Sequence, residues 1–150
     1  MHLYLQLVKK EYKITGISDL DQVIDDLTTR LAEYRLFLLS GNLGAGKTTL
    51  VSRWMKKMGC KDLVSSPTFS VINEYVLPDS KVYHMDFYRI QDISEVYDIG
   101  IDEYLLEEDS ICIIEWPEIF LSEIKDDFVS IRIEQDGDFR LLSLREVVSD

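Results

Sequence analysis

The sequence predicts an α/β fold in three layers, with helices on both faces of a mixed β-sheet. Two observations lead to this prediction. A short apolar run at residues 35–40 is followed by a glycine-rich loop and then by apolar residues at helical spacing, the order typical of a parallel sheet. Residues 69–87 and 128–145 each alternate in hydrophobicity around a turn, which indicates antiparallel hairpins. We therefore expect parallel strands around the loop and antiparallel strands at the margins.

Length and charge limit the possible functions. The chain has 150 residues, which predicts one domain over residues 1–150. It carries 16 Lys and Arg against 28 Asp and Glu, a net charge of −12, so direct binding to nucleic acid phosphates is disfavoured. The acidic surface suits a basic protein partner or serves solubility alone, and both explanations stay open. No long apolar run, secretory signal or metal-ligand spacing of Cys60 and Cys112 is visible, so we expect a cytoplasmic protein without membrane association.

The residues before the loop predict one strand and one helix. Residues 3–14 alternate loosely and are expected to form an edge strand. A helix is expected from about residue 20 to Tyr34, with Ser18 and Asp21 as its N-terminal capping box. The strand at residues 35–40 follows and leads directly into the loop.

The loop itself, residues 41–48, matches G-x-x-x-x-G-K-[ST], the phosphate-binding P-loop pattern. Its glycines let the backbone approach a phosphate with several N–H groups pointing inward. Lys47 is suited to the β- and γ-phosphates and the Thr48 hydroxyl to Mg²⁺, while the following helix adds its positive dipole end. The fold prediction is therefore a P-loop NTPase-like sandwich. The residues expected to contact the nucleotide here are Gly41, Asn42, Leu43, Gly44, Ala45, Gly46, Lys47, Thr48 and Thr49.

After the loop, the pattern predicts a helix that ends at Gly59 and then a series of strands and short helices. Asp136-Gly137-Asp138 is a good hairpin turn between the last two strands. The expected strands are at residues 69–76, 82–87, 110–117, 128–134 and 139–145, and the expected short helices are at 93–98 and 102–107.

Two acidic residues lie at the ends of predicted strands, Asp86 and Glu115. A P-loop enzyme needs a carboxylate near Mg²⁺ or near the attacking water, and ligands gather at the carboxyl ends of parallel strands. Glu115 resembles a Walker-B acid with Glu in place of Asp. The alternative for each acid alone is an ordinary helix cap. His84 has two open interpretations, a core histidine with a satisfied hydrogen bond or a catalytic group.

Other residues near the predicted site remain ambiguous. Trp116 packs or shapes the nucleotide pocket. Thr68 is placed where switch segments sense a γ-phosphate, whereas Arg89 either touches phosphate or pairs with an acid. Residues 15–18 are candidates to approach a nucleotide base. A guanine-reading motif is absent because residues 124–127 lack its first residue, which favours ATP over GTP.

Together these residues resemble the TsaE family, small bacterial P-loop ATPases of tRNA threonylcarbamoyladenosine biosynthesis. The resemblance covers nearly the whole chain and is far more specific than the P-loop alone. The matching stretches, in order and with the family spacing, are GNLGAGKTT at residues 41–49, SPTF at 66–69, NEY at 73–75, YHMDFYR at 83–89 and IEWPE at 114–118.

The resemblance implies a weak ATPase, which uses Mg²⁺ and acts on a complex of the proteins TsaB and TsaD. In the family, TsaD transfers a threonylcarbamoyl group to adenosine next to the anticodon, and ATP hydrolysis by TsaE resets the assembly. Lys47 and Thr48 then belong to the phosphate and Mg²⁺ site, with Glu115 as the second Mg²⁺ ligand and Asp86 as the acid needed for hydrolysis.

The resemblance also assigns further residues around the site. Trp116 and Glu118 belong beside the nucleotide, residues 66–69 form a switch-I-like loop, and residues 84–89 form a switch-II-like segment. This chain has Asn42 and Asp138 where many relatives have Asp and Arg. A nucleotide contact by Arg140, the nearest substitute for that arginine, is therefore an open question.

Two other functions compete with a partner-stimulated ATPase. A small-molecule kinase shares the P-loop, but 150 residues leave little room for a lid and an acceptor pocket. A non-enzymatic regulator would bind ATP or ADP only to gate the TsaB–TsaD complex. We expect docking to that complex through residues 66–69 and 84–89, without stable binding to tRNA.

Overall fold

A computed structural model describes residues 4–42, 44–61, 64 and 71–149. Within these ranges seven strands form one sheet, flanked by four α-helices and three short 3₁₀ turns. The strands are β1 (Tyr4–Ile14), β2 (Leu36–Ser40), β3 (Ile72–Val76), β4 (Lys81–Asp86), β5 (Ser110–Glu115), β6 (Phe128–Asp136) and β7 (Phe139–Ser149). The helices are α1 (Leu20–Arg30), α2 (Lys47–Lys57), α3 (Ile93–Asp98) and α4 (Ile101–Leu106), and the 3₁₀ turns are Ile17–Asp19, Pro117–Ile119 and Leu121–Glu123.

The sheet is mixed in the way that the sequence predicts. Its strand order is β1-β7-β6-β2-β5-β4-β3. The four central strands, β6, β2, β5 and β4, run parallel to one another. Strands β3, β7 and β1 are antiparallel to their neighbours and form the two margins. The carboxyl ends of the parallel strands therefore meet at one edge of the sheet, where the P-loop follows β2.

Alternation along the strands produces two hydrophobic cores, one on each face of the sheet. In β2, Phe37 and Leu39 are buried under α1 and α2, whereas Leu36 and Leu38 face the layer of α3, α4 and the later 3₁₀ turns. Trp54 of α2 packs edge-on against Phe37, with ring centroids 5.0 Å apart. The predicted three-layer arrangement is confirmed.

The start of α1 differs from its prediction. A 3₁₀ turn precedes the helix, and the carboxylate of Asp19 accepts hydrogen bonds from the backbone N–H groups of Thr15 and Gly16, at 2.8 and 3.0 Å. The predicted capping box of Ser18 and Asp21 is therefore wrong. The helix also ends at Arg30 rather than near Tyr34.

Charge is distributed unequally between the two helical layers. Across the α1–α2 layer, ion pairs join Arg53 to Asp21 at 2.9 Å and Lys57 to Asp25. Residues 92–127, which contain α3, α4 and β5, include Lys125 as their single basic residue among many acids. The acid excess of the protein therefore lies mainly on the α3–α4 side.

Two further features bear on the sequence-based expectations. Both cysteines are free, and burial raises the pKa of the Cys112 thiol to about 12, so this thiol stays protonated at neutral pH. Among the helices of the described residues, none combines the length and the apolar character needed to cross a bilayer.

The core predicts a clear contrast between two leucines. Leu27 of α1 is 0% exposed, so Leu27→Ala should lower the free energy of unfolding by about 2–5 kcal/mol through lost burial and a cavity. Leu106 of α4 is 78% exposed, and Leu106→Ala should change stability by less than about 0.5 kcal/mol. Urea denaturation of the two variants measures the difference, and equal midpoints would contradict this description of the core.

Candidate functional site

The P-loop is shaped by glycines with backbone angles that other residues rarely adopt. Gly41, Gly44 and Gly46 have φ angles of 146°, 78° and 109°, while Leu43 lies outside the described residues. A Cβ atom on Gly41 would also collide with the backbone carbonyl oxygen of Ile133 in β6. The loop therefore needs glycine at position 41 both for its conformation and for its close approach to the neighbouring strand.

Lys47, the first residue of α2, is held inside the site. Its Nζ donates a hydrogen bond to the carbonyl oxygen of Gly41 at 2.5 Å and lies 3.9 Å from the centroid of the Trp116 ring. Burial lowers the pKa of Lys47, although nearby carboxylates, Glu115 above all, act in the opposite direction. The amine is therefore poorly hydrated, and it can exchange the Gly41 carbonyl for a phosphate oxygen.

Trp116 is fixed above this amine by an unusual backbone. Its φ angle is 54°, in the left-handed region, and its N–H donates to the carbonyl oxygen of Leu39 at 3.1 Å. The exposed ring of Tyr88 lies 4.9 Å from the Trp116 ring. Left-handed backbone in a residue other than glycine is strained and is frequent at functional sites. Trp116 lines the polar cleft, and Tyr88 packs on it from the exposed side.

The two predicted strand-end acids are neighbours. Asp86 at the end of β4 pairs in register with Glu115 at the end of β5. The backbone N–H of Tyr88 donates to Oδ1 of Asp86 at 2.9 Å. Burial raises the pKa of Asp86, and the charge of Glu115 raises it further. Asp86 therefore holds a proton more readily than an exposed aspartate does.

Glu115 is the more deeply buried of the two acids, at 2% exposure, and it contacts a histidine. Its Oε2 lies 2.5 Å from Nε2 of His84, and Nδ1 of His84 lies 3.3 Å from the hydroxyl of Tyr75. His84 is 0% exposed. The structure thus places His84 in the core with a satisfied hydrogen bond, and that bond is made to a predicted site acid.

Two adjoining cavities lie at the P-loop. They share Gly46, Thr49 and Arg140. The polar cleft, of about 340 Å³, is lined by Gly44, Gly46, Lys47, Thr48, Thr49, Asp86, Glu115, Trp116 and Arg140. The second cavity, of about 310 Å³, is lined by Ile14, Thr15, Gly16, Ile17, Leu20, Ala45, Gly46, Thr49, Ile133, Gln135, Asp138, Phe139, Arg140 and Leu142. A charged cleft joined to a largely apolar cavity matches the two halves of a nucleotide, phosphates and base.

Arg140 is the residue for which the sequence leaves a nucleotide contact open. It belongs to β7, and its Nη2 donates to the carbonyl oxygen of Gly44 at 3.2 Å. Residues 15–17 also line the second cavity, next to the P-loop. The β6–β7 hairpin reaches the P-loop because β6 pairs with β2, a neighbour relation that sequence spacing does not reveal.

Other predicted residues lie farther away or are not described. Glu118 does not line the polar cleft; it lines a separate cavity with Arg132 and Arg145, although its charge still acts on Lys47. The backbone carbonyl oxygen of Asn42 accepts a hydrogen bond from the N–H of Ala45 at 3.0 Å within the loop. Arg89 is exposed and lines neither cavity at the P-loop. The switch-I-like residues 66–69, with Thr68, lie outside the described residues.

The donor set fits Mg²⁺ bound together with phosphates. Mg²⁺ prefers oxygen ligands and is usually held by one or two carboxylates, substrate phosphates and water. Thr48, Asp86 and Glu115 all line the polar cleft. Over the described ranges, no group of three or more His, Cys, Asp or Glu residues could hold a metal by itself. The residues therefore suit a metal that arrives with its nucleotide.

A P-loop after a central parallel strand, with two acids at the ends of the neighbouring strands, defines a P-loop nucleotide-binding protein of the α/β class. The family model described as threonylcarbamoyl adenosine biosynthesis protein TsaE matches residues 14–142. The chain belongs to the TsaE family.

Curated relatives agree with this assignment. Proteins described as tRNA threonylcarbamoyladenosine biosynthesis protein TsaE match from Bacillus subtilis (41% identical, 67% of this chain and 61% of the relative), Haemophilus influenzae (37%, 71% and 66%) and Borreliella burgdorferi (36%, 73% and 80%). The matched part spans less than two thirds of the first two relatives. The crystal structure of Bacillus subtilis YdiB superposes with a TM-score of 0.68 at 26% identity and covers 97% of this chain and 88% of that one.

The P-loop geometry predicts different effects for two of its glycines. Gly41→Ala should displace the loop from β6, lower the melting temperature and weaken nucleotide binding at least tenfold. Gly44→Ala is the matched control, because its Cβ meets nothing within 4 Å and only left-handed strain of about 1–2 kcal/mol remains. Thermal melts and nucleotide titrations of both variants test this. Equal effects would show that the contact with Ile133 does not matter.

Proposed function

We propose that this protein binds ATP with Mg²⁺ and hydrolyses it slowly, as a cytoplasmic component of the machinery that attaches threonylcarbamoyl to adenosine next to the tRNA anticodon. The observation that carries the proposal is that Lys47, Asp86 and Glu115 line one cleft although they come from three different elements. Membership of the TsaE family connects that cleft to the tRNA modification.

Four side chains in the polar cleft have direct roles in this proposal. Lys47 would leave the Gly41 carbonyl to bind β- and γ-phosphate oxygens, while the amides of the loop bind the remaining oxygens. Thr48 and Glu115 would hold Mg²⁺, which supplies positive charge against the charge that develops on the transferred phosphoryl group. Asp86 would orient the attacking water and accept its proton.

The second cavity is proposed as the site of the adenine base. Its walls are mainly apolar, with Ile17 and Phe139 among them, and Thr15 and Gln135 provide polar groups for the edge of the base. Arg140 lies between the two cavities and is positioned to reach the phosphates or the ribose. ATP and ADP are therefore the proposed ligands.

The proposed partners are the TsaB and TsaD proteins, without stable contact to tRNA. The acid excess of residues 92–127 favours a basic protein surface and disfavours the phosphates of tRNA. Tyr88, 50% exposed, contacts Trp116 with its ring tilted by 46° and would extend the nucleotide site to the molecular surface. Within residues 84–89, His84, Met85 and Phe87 are buried, and the exposed side chains are those of Tyr88 and Arg89. A partner docked on Tyr88 and Arg89 would thereby sense the nucleotide.

A second candidate is a non-enzymatic regulator that binds nucleotide only to gate the partner complex. Two contacts favour it, because Lys47 is engaged by Gly41 and Asp86 by the Tyr88 backbone. Lys47 would have to leave the Gly41 carbonyl for catalysis, and Asp86 would have to act through its other carboxylate oxygen, which is consistent with low turnover. ATP turnover measured alone and with TsaB–TsaD distinguishes the two candidates, since a pure regulator shows no hydrolysis in either assay.

Removal of the P-loop lysine should abolish tight nucleotide binding. Lys47→Ala removes a desolvated charge pair with phosphate worth about 2–5 kcal/mol, so Kd should rise roughly 30- to 5,000-fold. Lys56→Ala, an exposed lysine on the same helix, is the control and should leave Kd unchanged. Calorimetric titration with ATP measures both. Unchanged affinity in a folded Lys47→Ala protein would refute the site.

Asp86 should affect hydrolysis more than binding. Asp86→Asn is nearly isosteric but cannot accept a proton, so turnover with TsaB–TsaD should fall about 100-fold or more while ATP affinity is retained. Because burial raises the pKa of Asp86, wild-type turnover should be lost on acidification at a higher pH than an exposed aspartate would produce. Asp98→Asn, an exposed acid on α3, is the control. If Asp86→Asn loses ATP binding but keeps its turnover per bound ATP, Asp86 serves binding rather than hydrolysis.

A further inference from the structure

A row of polar side chains crosses three neighbouring strands and ends at Glu115. The row starts at β3, where Nδ2 of Asn73 donates to the hydroxyl of Tyr75 at 3.4 Å. The Tyr75 hydroxyl is 3.3 Å from Nδ1 of His84 in β4, and Nε2 of His84 is 2.5 Å from Glu115 in β5. Tyr75, His84 and Glu115 are all buried, so these contacts are shielded from water.

Strand register explains why these residues meet. Asn73 pairs directly with His84, and His84 pairs with Ile113. Side chains at positions two apart share a face, so Glu115 lies on the face of His84 and one step further along β5. This is the face that packs against α2, the helix that begins with Lys47.

If His84 is neutral, the hydrogen bonds of the row determine which of its ring nitrogens carries the proton. An ionised carboxylate only accepts hydrogen bonds, so Nε2 of His84 must carry the proton that it shares with Glu115. Nδ1 is then an acceptor, and the Tyr75 hydroxyl donates to it. Asn73 donates to the same hydroxyl oxygen, which leaves the hydroxyl proton for Nδ1. The Glu115 carboxylate therefore requires the tautomer with the proton on Nε2, and Tyr75 stabilises that tautomer by donating to Nδ1.

The geometry points to His84 as a positioning residue that fixes the Glu115 carboxylate for Mg²⁺, with Tyr75 stabilising the His84 tautomer that donates to Glu115. This inference rests on the proposed function. His84 is 0% exposed and lines neither cavity at the P-loop, so it cannot touch the nucleotide itself. Glu115 does line the polar cleft. Residues that hydrogen-bond to a metal-binding carboxylate orient it, and their loss typically lowers metal affinity 10- to 100-fold.

The test measures affinity for an ATP analogue that is not hydrolysed, once with Mg²⁺ and once with EDTA. The ratio of the two affinities is the Mg²⁺ enhancement. His84→Leu removes the donor to Glu115 and should reduce the enhancement about 10- to 100-fold. His84→Gln places an amide N–H near the position of Nε2 and should restore most of it. Tyr75→Phe should give an intermediate loss, and affinity in EDTA should change little in all three variants.

Tyr83→Phe is the matched control. Tyr83 is a buried tyrosine on β4 whose hydroxyl bonds to Glu107 on the opposite face of the sheet. The Tyr83→Phe protein should be less stable than wild type but should keep the wild-type Mg²⁺ enhancement. If Tyr83→Phe lowers the enhancement as much as Tyr75→Phe, the effect is general destabilisation and the inference is wrong.

Two further outcomes are decisive. Wild-type enhancement in a folded His84→Leu protein overturns the role of His84 and leaves the proposed function intact; if His84→Leu does not fold, wild-type enhancement in Tyr75→Phe overturns it. A wild-type protein whose nucleotide affinity does not respond to Mg²⁺ overturns the proposed metal site and the role of His84 together.

Discussion

The position of β2 between two parallel neighbours determines the rest of the site. Leu39 pairs with Glu115 of β5 on one side and with Ile131 of β6 on the other. The P-loop begins where β2 ends, so it emerges between the strand-end acids and the β6–β7 hairpin. Backbone hydrogen bonds of β2 to β5 and β6 fix the distances from the P-loop to the acids and to the hairpin. As a result, Gly41 lies so close to the Ile133 carbonyl oxygen that a Cβ atom would collide with it.

The site concentrates charges that are poorly solvated. Burial lowers the pKa of Lys47 and raises that of Asp86, so both ionised forms are disfavoured relative to the same groups in water. The buried carboxylate of Glu115 is stabilised by its hydrogen bond with His84. A buried charge without a partner is costly, and a ligand that brings phosphate and divalent metal provides counter-charge to both signs. The poorly solvated charges that would favour such a ligand are thus already in place in the protein alone.

Local patterns in the sequence were sufficient for much of the fold. The helix predicted at residues 93–98 appears as α3 (Ile93–Asp98), and the P-loop stands between a strand and a helix as expected. Capping was predicted wrongly because Ser18, Asp19 and Asp21 can all cap a helix, and only the preceding 3₁₀ turn selects Asp19.

Long-range relations were beyond the sequence. Strand order is set by pairing between distant segments. The sequence therefore identifies Arg140 as a candidate, but it does not predict the contact of Arg140 with the P-loop. The bond between His84 and Glu115 depends on the parallel register of β4 and β5, whose connection contains two helices. Residue types alone therefore suggested the participants of the site, whereas the sheet decided which of them touch.

The unequal charge of the two helical layers has a consequence for motion in solution. With acids in excess on the α3–α4 layer and ion pairs across the α1–α2 layer, the molecule has an electric dipole directed across the sheet. Near a positively charged surface such a dipole experiences a torque, which turns the α3–α4 layer forward before any contact forms. At physiological ionic strength the field decays over about 8 Å, so this alignment acts only in the last stage of approach.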